Sequence, residues 1–303
     1  MCYFDTHIER INMQFSVFSI VTGTSRCVTV CPFCVSGELA NPQNGEIPEI
    51  NHRNLRKACE LAKTSGVQTV MLTSRGEPTL FPEQITEYLE TLEPYNFPFI
   101  ELQTNGIPMG RQFEKYRHHL ERWYELGLST ILISTVSNRP EINKEVYTPR
   151  TKQYIDLPEL IANLHEIGFS VRLTAVCTKA WMSTPEQIDE YLQFAKENRV
   201  EQVTLRPLND EYRRETAQAW IDEHKMSEED KSNIYDFLNT KGYKLLELPN
   251  IGNVFDYEGQ NVMFSYALTK YNSHNDGSNM RNLIFFPDGQ LRYEWEWEGA
   301  RLL

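Results

Sequence analysis

Two hydrophobic rhythms alternate along the middle of the chain. Short apolar stretches rich in Val, Ile, Leu and Thr recur at 67–73, 98–103, 129–135, 170–177 and 200–206. Between them, segments at 55–64, 83–92, 111–126, 156–168 and 185–198 carry apolar residues every third or fourth position. The first rhythm has the length and β-branched content of buried strands, and the second the spacing of amphipathic helices. A further strand is expected at 14–22. Thr184-Pro185-Glu186-Gln187 supplies an N-cap, a first-turn proline and a capping box, and Asp156 with Pro158 starts the helix before it. Strands separated by helices pair in parallel through right-handed crossovers. The pattern therefore predicts an α/β fold, a partial (β/α)6 parallel barrel, about three-quarters of a closed one.

Beyond Pro207 the pattern changes. Residues 211–241 are charged with helical spacing, and Ser227-Glu228-Glu229-Asp230 reads as a helix start. Strands are expected at 243–248 and 261–271, then a hairpin over 282–298 that turns at Pro287-Asp288-Gly289. This divides the chain into 1–207, the barrel core with its N-terminal strand lead-in, and 208–303, a small C-terminal α+β extension capping one end of the barrel. Trp295 and Trp297 are expected in the core of that extension.

Composition narrows the class. The chain has 303 residues, of which 40% are hydrophobic and 12% aromatic, enough for a large core. No apolar run approaches the roughly 20 residues that span a bilayer, and the first residues lack the pattern of a signal peptide. A cytoplasmic protein with no membrane partner is expected, and six cysteines that do not read as pairs suit a reducing compartment. The net charge of −12 argues against a general nucleic-acid surface, which needs clustered Lys and Arg.

The candidate chemistry lies in Cys27-Val28-Thr29-Val30-Cys31-Pro32-Phe33-Cys34, where a strand gives way to a loop. Three thiolates at this spacing can wrap one side of an iron-sulfur cluster. With no fourth cysteine nearby, one iron of a four-iron cluster stays open to a cofactor or substrate. A structural zinc site would want four ligands and a ferredoxin its fourth cysteine. The remaining cysteines, Cys2, Cys59 and Cys177, are too scattered to supply either.

At these residues the chain resembles the radical S-adenosylmethionine (radical SAM) superfamily, whose Cys-x-x-x-Cys-x-aromatic-Cys motif is matched by Cys27, Cys31, Phe33 and Cys34. A second segment, Thr73-Ser74-Arg75-Gly76-Glu77-Pro78-Thr79 after an apolar strand, resembles the family's Gly-Gly-Glu-Pro turn, with Arg75 in place of the first glycine. The resemblance covers about residues 15–207. It implies a [4Fe-4S] cluster on the three cysteines, S-adenosylmethionine as cofactor, and reductive cleavage to a 5'-deoxyadenosyl radical that takes hydrogen from a small-molecule, nucleotide or peptide substrate. It also implies an external one-electron reductant such as flavodoxin or ferredoxin. Phe33 is expected beside the adenine, and Gly76, Glu77 and Pro78 at the methionine amino group. Ser134 and Arg150 are expected to reach the cofactor, Arg150 at its carboxylate, and Thr174 and Arg206 its ribose or adenine. Cys177 is a candidate hydrogen-atom donor, Tyr147, Tyr154 and Tyr212 are candidate substrate contacts, and His118-His119 is expected outside the barrel. Two other readings stay open: an activase that installs a glycyl radical on a partner enzyme, and an iron-sulfur electron-transfer or binding protein that does not cleave the cofactor. The extension holds no cysteine for an auxiliary cluster.

Overall fold

A computed structural model describes residues 14–34, 47–208, 215–248, 251–265, 279–295 and 297–303. Six strands, β1 (Gln14–Thr22), β2 (Thr69–Ser74), β3 (Phe99–Thr104), β4 (Thr130–Thr135), β5 (Ser170–Cys177) and β6 (Gln202–Pro207), stand side by side in chain order. Every neighbouring pair is parallel. The connections run through α1 (His52–Thr64), α2 (Pro82–Leu92), α3 (Ile107–Arg111) with α4 (Phe113–Glu125), α5 (Pro140–Tyr147) with α6 (Leu157–Ile167), and α7 (Pro185–Glu197). The sheet does not close on itself, which is the open (β/α)6 arrangement of a partial barrel.

Local chemistry explains the boundaries. Asn51, Asp156 and Thr184 accept backbone N–H groups in the first turns of α1, α6 and α7, and Thr184 with Gln187 forms the full capping box. The helix expected over 111–126 is α4, and the short α3 before it, with its C-cap at Gln112, was not expected. The short helix α5, opened by Pro140 at its first position, had too few periodic residues to read from sequence.

The two faces of the sheet differ. Phe18, Ile20, Val70, Leu72, Leu102, Ile131, Ile133, Leu173, Val203 and Leu205 point to the helices and form the main core. Alternate residues face away from the helices and are mostly polar. Ser134, Thr174 and Thr204 lie at one register level across β4, β5 and β6. Thr73 donates to Gln103 at 3.0 Å, and Arg172 pairs with the buried Glu101 at 2.9 Å across β4. Closed barrels fill this interior with apolar layers; this one leaves a polar inner face.

After β6 come α8 (Glu215–His224) and α9 (Glu228–Lys241), then β7 (Tyr243–Leu248), β8 (Gly252–Tyr257), β9 (Gln260–Ser265), β10 (Asn279–Phe285) and β11 (Leu291–Arg292). Helix α8 brings Trp220 against Phe33 of the cysteine loop, and the strands do something the sequence did not suggest. The C-terminal strands lengthen the sheet at both edges, in the order β11-β10-β1 on one side and β6-β9-β8-β7 on the other. An open sheet exposes unpaired backbone groups at both edges, and added strands satisfy them where a cap cannot. The hairpin of β8 and β9, turning at Glu258 and Gly259, was not foreseen, and the end of the strand expected over 261–271 lies outside the described residues. Trp295 packs on Phe286, whereas Trp297 is 65% exposed and is not core.

Candidate active site

Chain direction brings the carboxyl ends of the six strands to one rim, where loops of parallel α/β folds gather their chemistry. The cysteine loop leaves β1 and is fastened to the turn after β2. The Glu77 N–H donates to the Arg26 carbonyl at 2.9 Å, and a Cβ on Gly76 would stand 2.0 Å from the same oxygen. Only glycine allows that approach, so the glycine retained in the motif is the one this contact requires. On its other side the loop is clamped to the segment after α5: Val30 N–H donates to Tyr147 O at 3.0 Å, Arg150 N–H to Val28 O at 2.9 Å, and Arg150 Nε to Cys27 O at 3.2 Å.

Cys27, Cys31 and Cys34 are half-buried, and no described cysteine forms a disulfide. Cys27 Sγ lies 3.1 Å and Cys31 Sγ 3.4 Å from the Thr29 hydroxyl, so two sulfurs surround one side chain. Burial raises the Cys27 thiol above its ordinary pKa and pushes Cys31 up to about 12, which metal coordination reverses by displacing the proton. Among the described residues no three His, Cys, Asp or Glu side chains converge as a single metal ion requires. Three thiolates on one short loop have the softness an iron-sulfur core requires of its ligands.

Glu77 sits in the turn after β2. Its side chain turns inward and is 1% exposed. The Thr79 and Thr104 hydroxyls each donate to Oε1 at 2.6 Å, Thr79 N–H donates to Oε1 at 3.0 Å, and Asn105 N–H donates to Oε2 at 2.9 Å. Burial raises its pKa while these four bonds favour the charged form. The carboxylate thus joins the ends of β2 and β3 at the rim.

Other expected residues reach the rim. Ser134 and Thr174 face each other in register, and the Thr174 hydroxyl is buried with no hydrogen-bond partner among the described residues. Arg206, one residue before the end of β6, lies beside Val176 in register. Phe33 stands between Tyr147 at 6.1 Å and Trp220 at 5.7 Å, ring centroid to centroid, and Tyr154 stacks on Tyr147 at 6.4 Å. Arg75 stacks on Phe286 at 5.3 Å, with Arg292 at 4.7 Å from the same ring. Burial first, and then Arg292, lowers the pKa of Arg75.

Cys177 does not join them. It is fully buried in the helix-facing core with Leu173 and Tyr191, on the opposite face of β5 from Thr174, and its thiol is pushed up to about 12 by burial. A hydrogen-atom donor must touch substrate, so this structure removes that role. His118 and His119 sit on α4 in the outer layer, His119 being 3.9 Å from Glu83. Tyr212 lies outside the described residues. Thr29 and Asn105 were given no role from sequence; the signal available was their position, between two cysteines and at the tip of a core strand.

Comparison with known proteins agrees with this geometry. The family model described as "Radical SAM superfamily" matches residues 21–196. No curated protein sequence matches the chain. Among solved structures, a histidine-tagged anSMEcpe with bound AdoMet is similar with a TM-score of 0.59 at 14% identity, over 95% of this chain and 74% of that one. HydG, a maturase of the [FeFe]-hydrogenase, gives 0.52 at 10% identity over 74% of this chain and 48% of its own. A radical SAM methyltransferase from Sphaerobacter thermophilus gives 0.50 at 16% identity, over 73% and 63%. At these identities the structures speak for the fold, and the family match, with both motifs at one rim, speaks for the chemistry. The chain belongs to the radical SAM superfamily and is an enzyme of that kind, working with a [4Fe-4S] cluster and S-adenosylmethionine.

Proposed function

We propose that Cys27, Cys31 and Cys34 hold the cluster and that the chain cleaves S-adenosylmethionine reductively, so that a 5'-deoxyadenosyl radical abstracts hydrogen from a small-molecule, nucleotide or peptide substrate on the inner face of the sheet. One observation carries the reading: a single cysteine loop hangs between the Gly76-Glu77-Pro78 turn and the segment after α5, above a polar inner face. The bound cluster supplies the electron and an open iron for the amino acid end of the cofactor. The chain's own residues orient and shield. Gly76 lets the turn approach the loop, and Pro78 fixes the backbone after it. Phe33 gives an apolar wall for the adenine. Ser134, Thr174 and Arg206 are assigned to ribose and adenine, and Arg150 to the carboxylate, which a guanidinium grips well. The partnerless Thr174 hydroxyl supports its place in that set.

An external one-electron reductant such as flavodoxin or ferredoxin belongs to the same reading. So does a cytoplasmic setting, supported by thiols outside disulfides. Among the described residues no helix is long and apolar enough to cross a membrane. The division into a chemical core at 1–207 and an extension at 208–303 is part of the proposal.

Anaerobically reconstituted protein, incubated with reductant and S-adenosylmethionine, is expected to yield 5'-deoxyadenosine and methionine. S-adenosylhomocysteine as the sole nucleoside product would replace hydrogen abstraction with methyl transfer. No product from a full, reducible cluster would overturn the reading in favour of electron transfer.

A further inference from the structure

We propose that Asn105 donates a hydrogen bond to the Cys27 sulfur and thereby sets the reduction potential of the cluster. The inference rests on Cys27 being a ligand, as proposed above.

The Asn105 Nδ2 lies 3.8 Å from Cys27 Sγ, within reach for a bond to the large sulfur atom. The direction of the amide is fixed by its other end. Oδ1 accepts the Ile107 N–H at 2.9 Å, so the nitrogen must be the atom turned to the sulfur. The backbone of Asn105 is held just as firmly. Its N–H is bound by Glu77 Oε2 at 2.9 Å, and Thr104, which also donates to Glu77, accepts the Gly106 N–H at 2.9 Å. Gly106 adopts a φ of +72°, which turns the chain sharply from β3 into α3 and leaves Asn105 at the tip. The Gly-Glu-Pro glutamate therefore acts through Asn105 on a cluster ligand that lies 78 positions before Asn105 in sequence.

The physical effect follows from where the electron goes. Reduction adds negative charge to the iron-sulfur core and its thiolates, and a donor aimed at a ligand sulfur offsets that charge. The reduced form gains more than the oxidised one, so the potential rises. Because Asn105 is gripped on both sides, no reorganisation is needed to make the bond.

The test is an anaerobic redox titration followed by electron paramagnetic resonance of the reduced cluster, with iron and sulfide counted in the same samples. Asn105→Ala is expected to keep its cluster but to lower the reduced-to-oxidised ratio at a fixed poise by about fivefold, the order of one ordinary hydrogen bond, since only the difference in its strength between the two oxidation states moves the potential. Asn105→Asp keeps the acceptor for the Ile107 N–H, protects the fold, and replaces the donor by a carboxylate, so its potential is expected lower still. Full clusters with the wild-type potential in both variants would overturn the proposal. Cys27→Ala serves as the control: retention of the wild-type four-iron spectrum would remove Cys27 as a ligand and the proposal with it.

Discussion

Gly76 and Arg26 meet backbone to backbone, the missing side chain of one leaving room for the carbonyl of the other, because a Cβ on Gly76 would lie 2.0 Å from the Arg26 oxygen. Gly76→Ala must separate the cysteine loop from the turn after β2. We expect a stability loss of about 1–3 kcal/mol, the usual cost of overpacking, and a drop in iron retained after anaerobic desalting. An alanine variant that keeps wild-type iron content and unfolding midpoint would contradict the close contact.

Glu77→Ala leaves two threonine hydroxyls and two backbone N–H groups without their acceptor. One bond to a charged group is worth about 1.5–3 kcal/mol, so urea unfolding should show a loss of at least ~3 kcal/mol. If the variant unfolded like the wild type but bound S-adenosylmethionine weakly, the carboxylate would serve the cofactor rather than the joint between β2 and β3.

The pair of Glu101 and Arg172 gives a pH dependence with a defined sign. Burial already raises the Glu101 pKa, and Arg172 opposes that rise. Arg172→Met removes the opposition, so the folded-state pKa climbs further above the unfolded value and the folded state binds the extra proton. The destabilisation, about 3 kcal/mol for a broken buried pair, is then fully present above the raised folded pKa. It diminishes as pH falls from there toward the ordinary carboxylate range. Thermal melts of both proteins across that window check it; a pH-independent difference would deny that the lost ion pair is its cause.

A single cysteine triad predicts about four irons and four sulfides per chain after reconstitution. Cys31→Ala should lose the brown chromophore, since two thiolates hold a cluster weakly. Iron and sulfide near twice that value in the wild type would demand a second site.

Much of this was legible in the chain. The alternation of buried-strand and helix rhythms is a local signal, and it placed all six core strands within a few residues because side-chain periodicity and caps such as Thr184 act over one or two turns. The cysteine loop and the Gly-Glu-Pro turn were readable for the same reason, each being a short run of adjacent residues. Segments with weak periodicity were not: α5 has only eight residues, and β8, Gly252-Asn253-Val254-Phe255-Asp256-Tyr257, lacks the clean alternation of a half-buried strand although its partners β7 and β9 are its neighbours in the chain.

The sequence by itself determined the candidate ligand set, the parallel α/β class and the order of the six units, all properties of spacing along one stretch of chain. Tertiary structure alone decided which way side chains face and what lies beside them. It sent Cys177 to the helix side of β5, and it turned Glu77 inward onto Thr104 and Asn105. It also carried the C-terminal strands to both edges of the sheet. The physical reason is the same in each case: burial and hydrogen-bond satisfaction are settled between elements far apart in the chain, where no local pattern can record them.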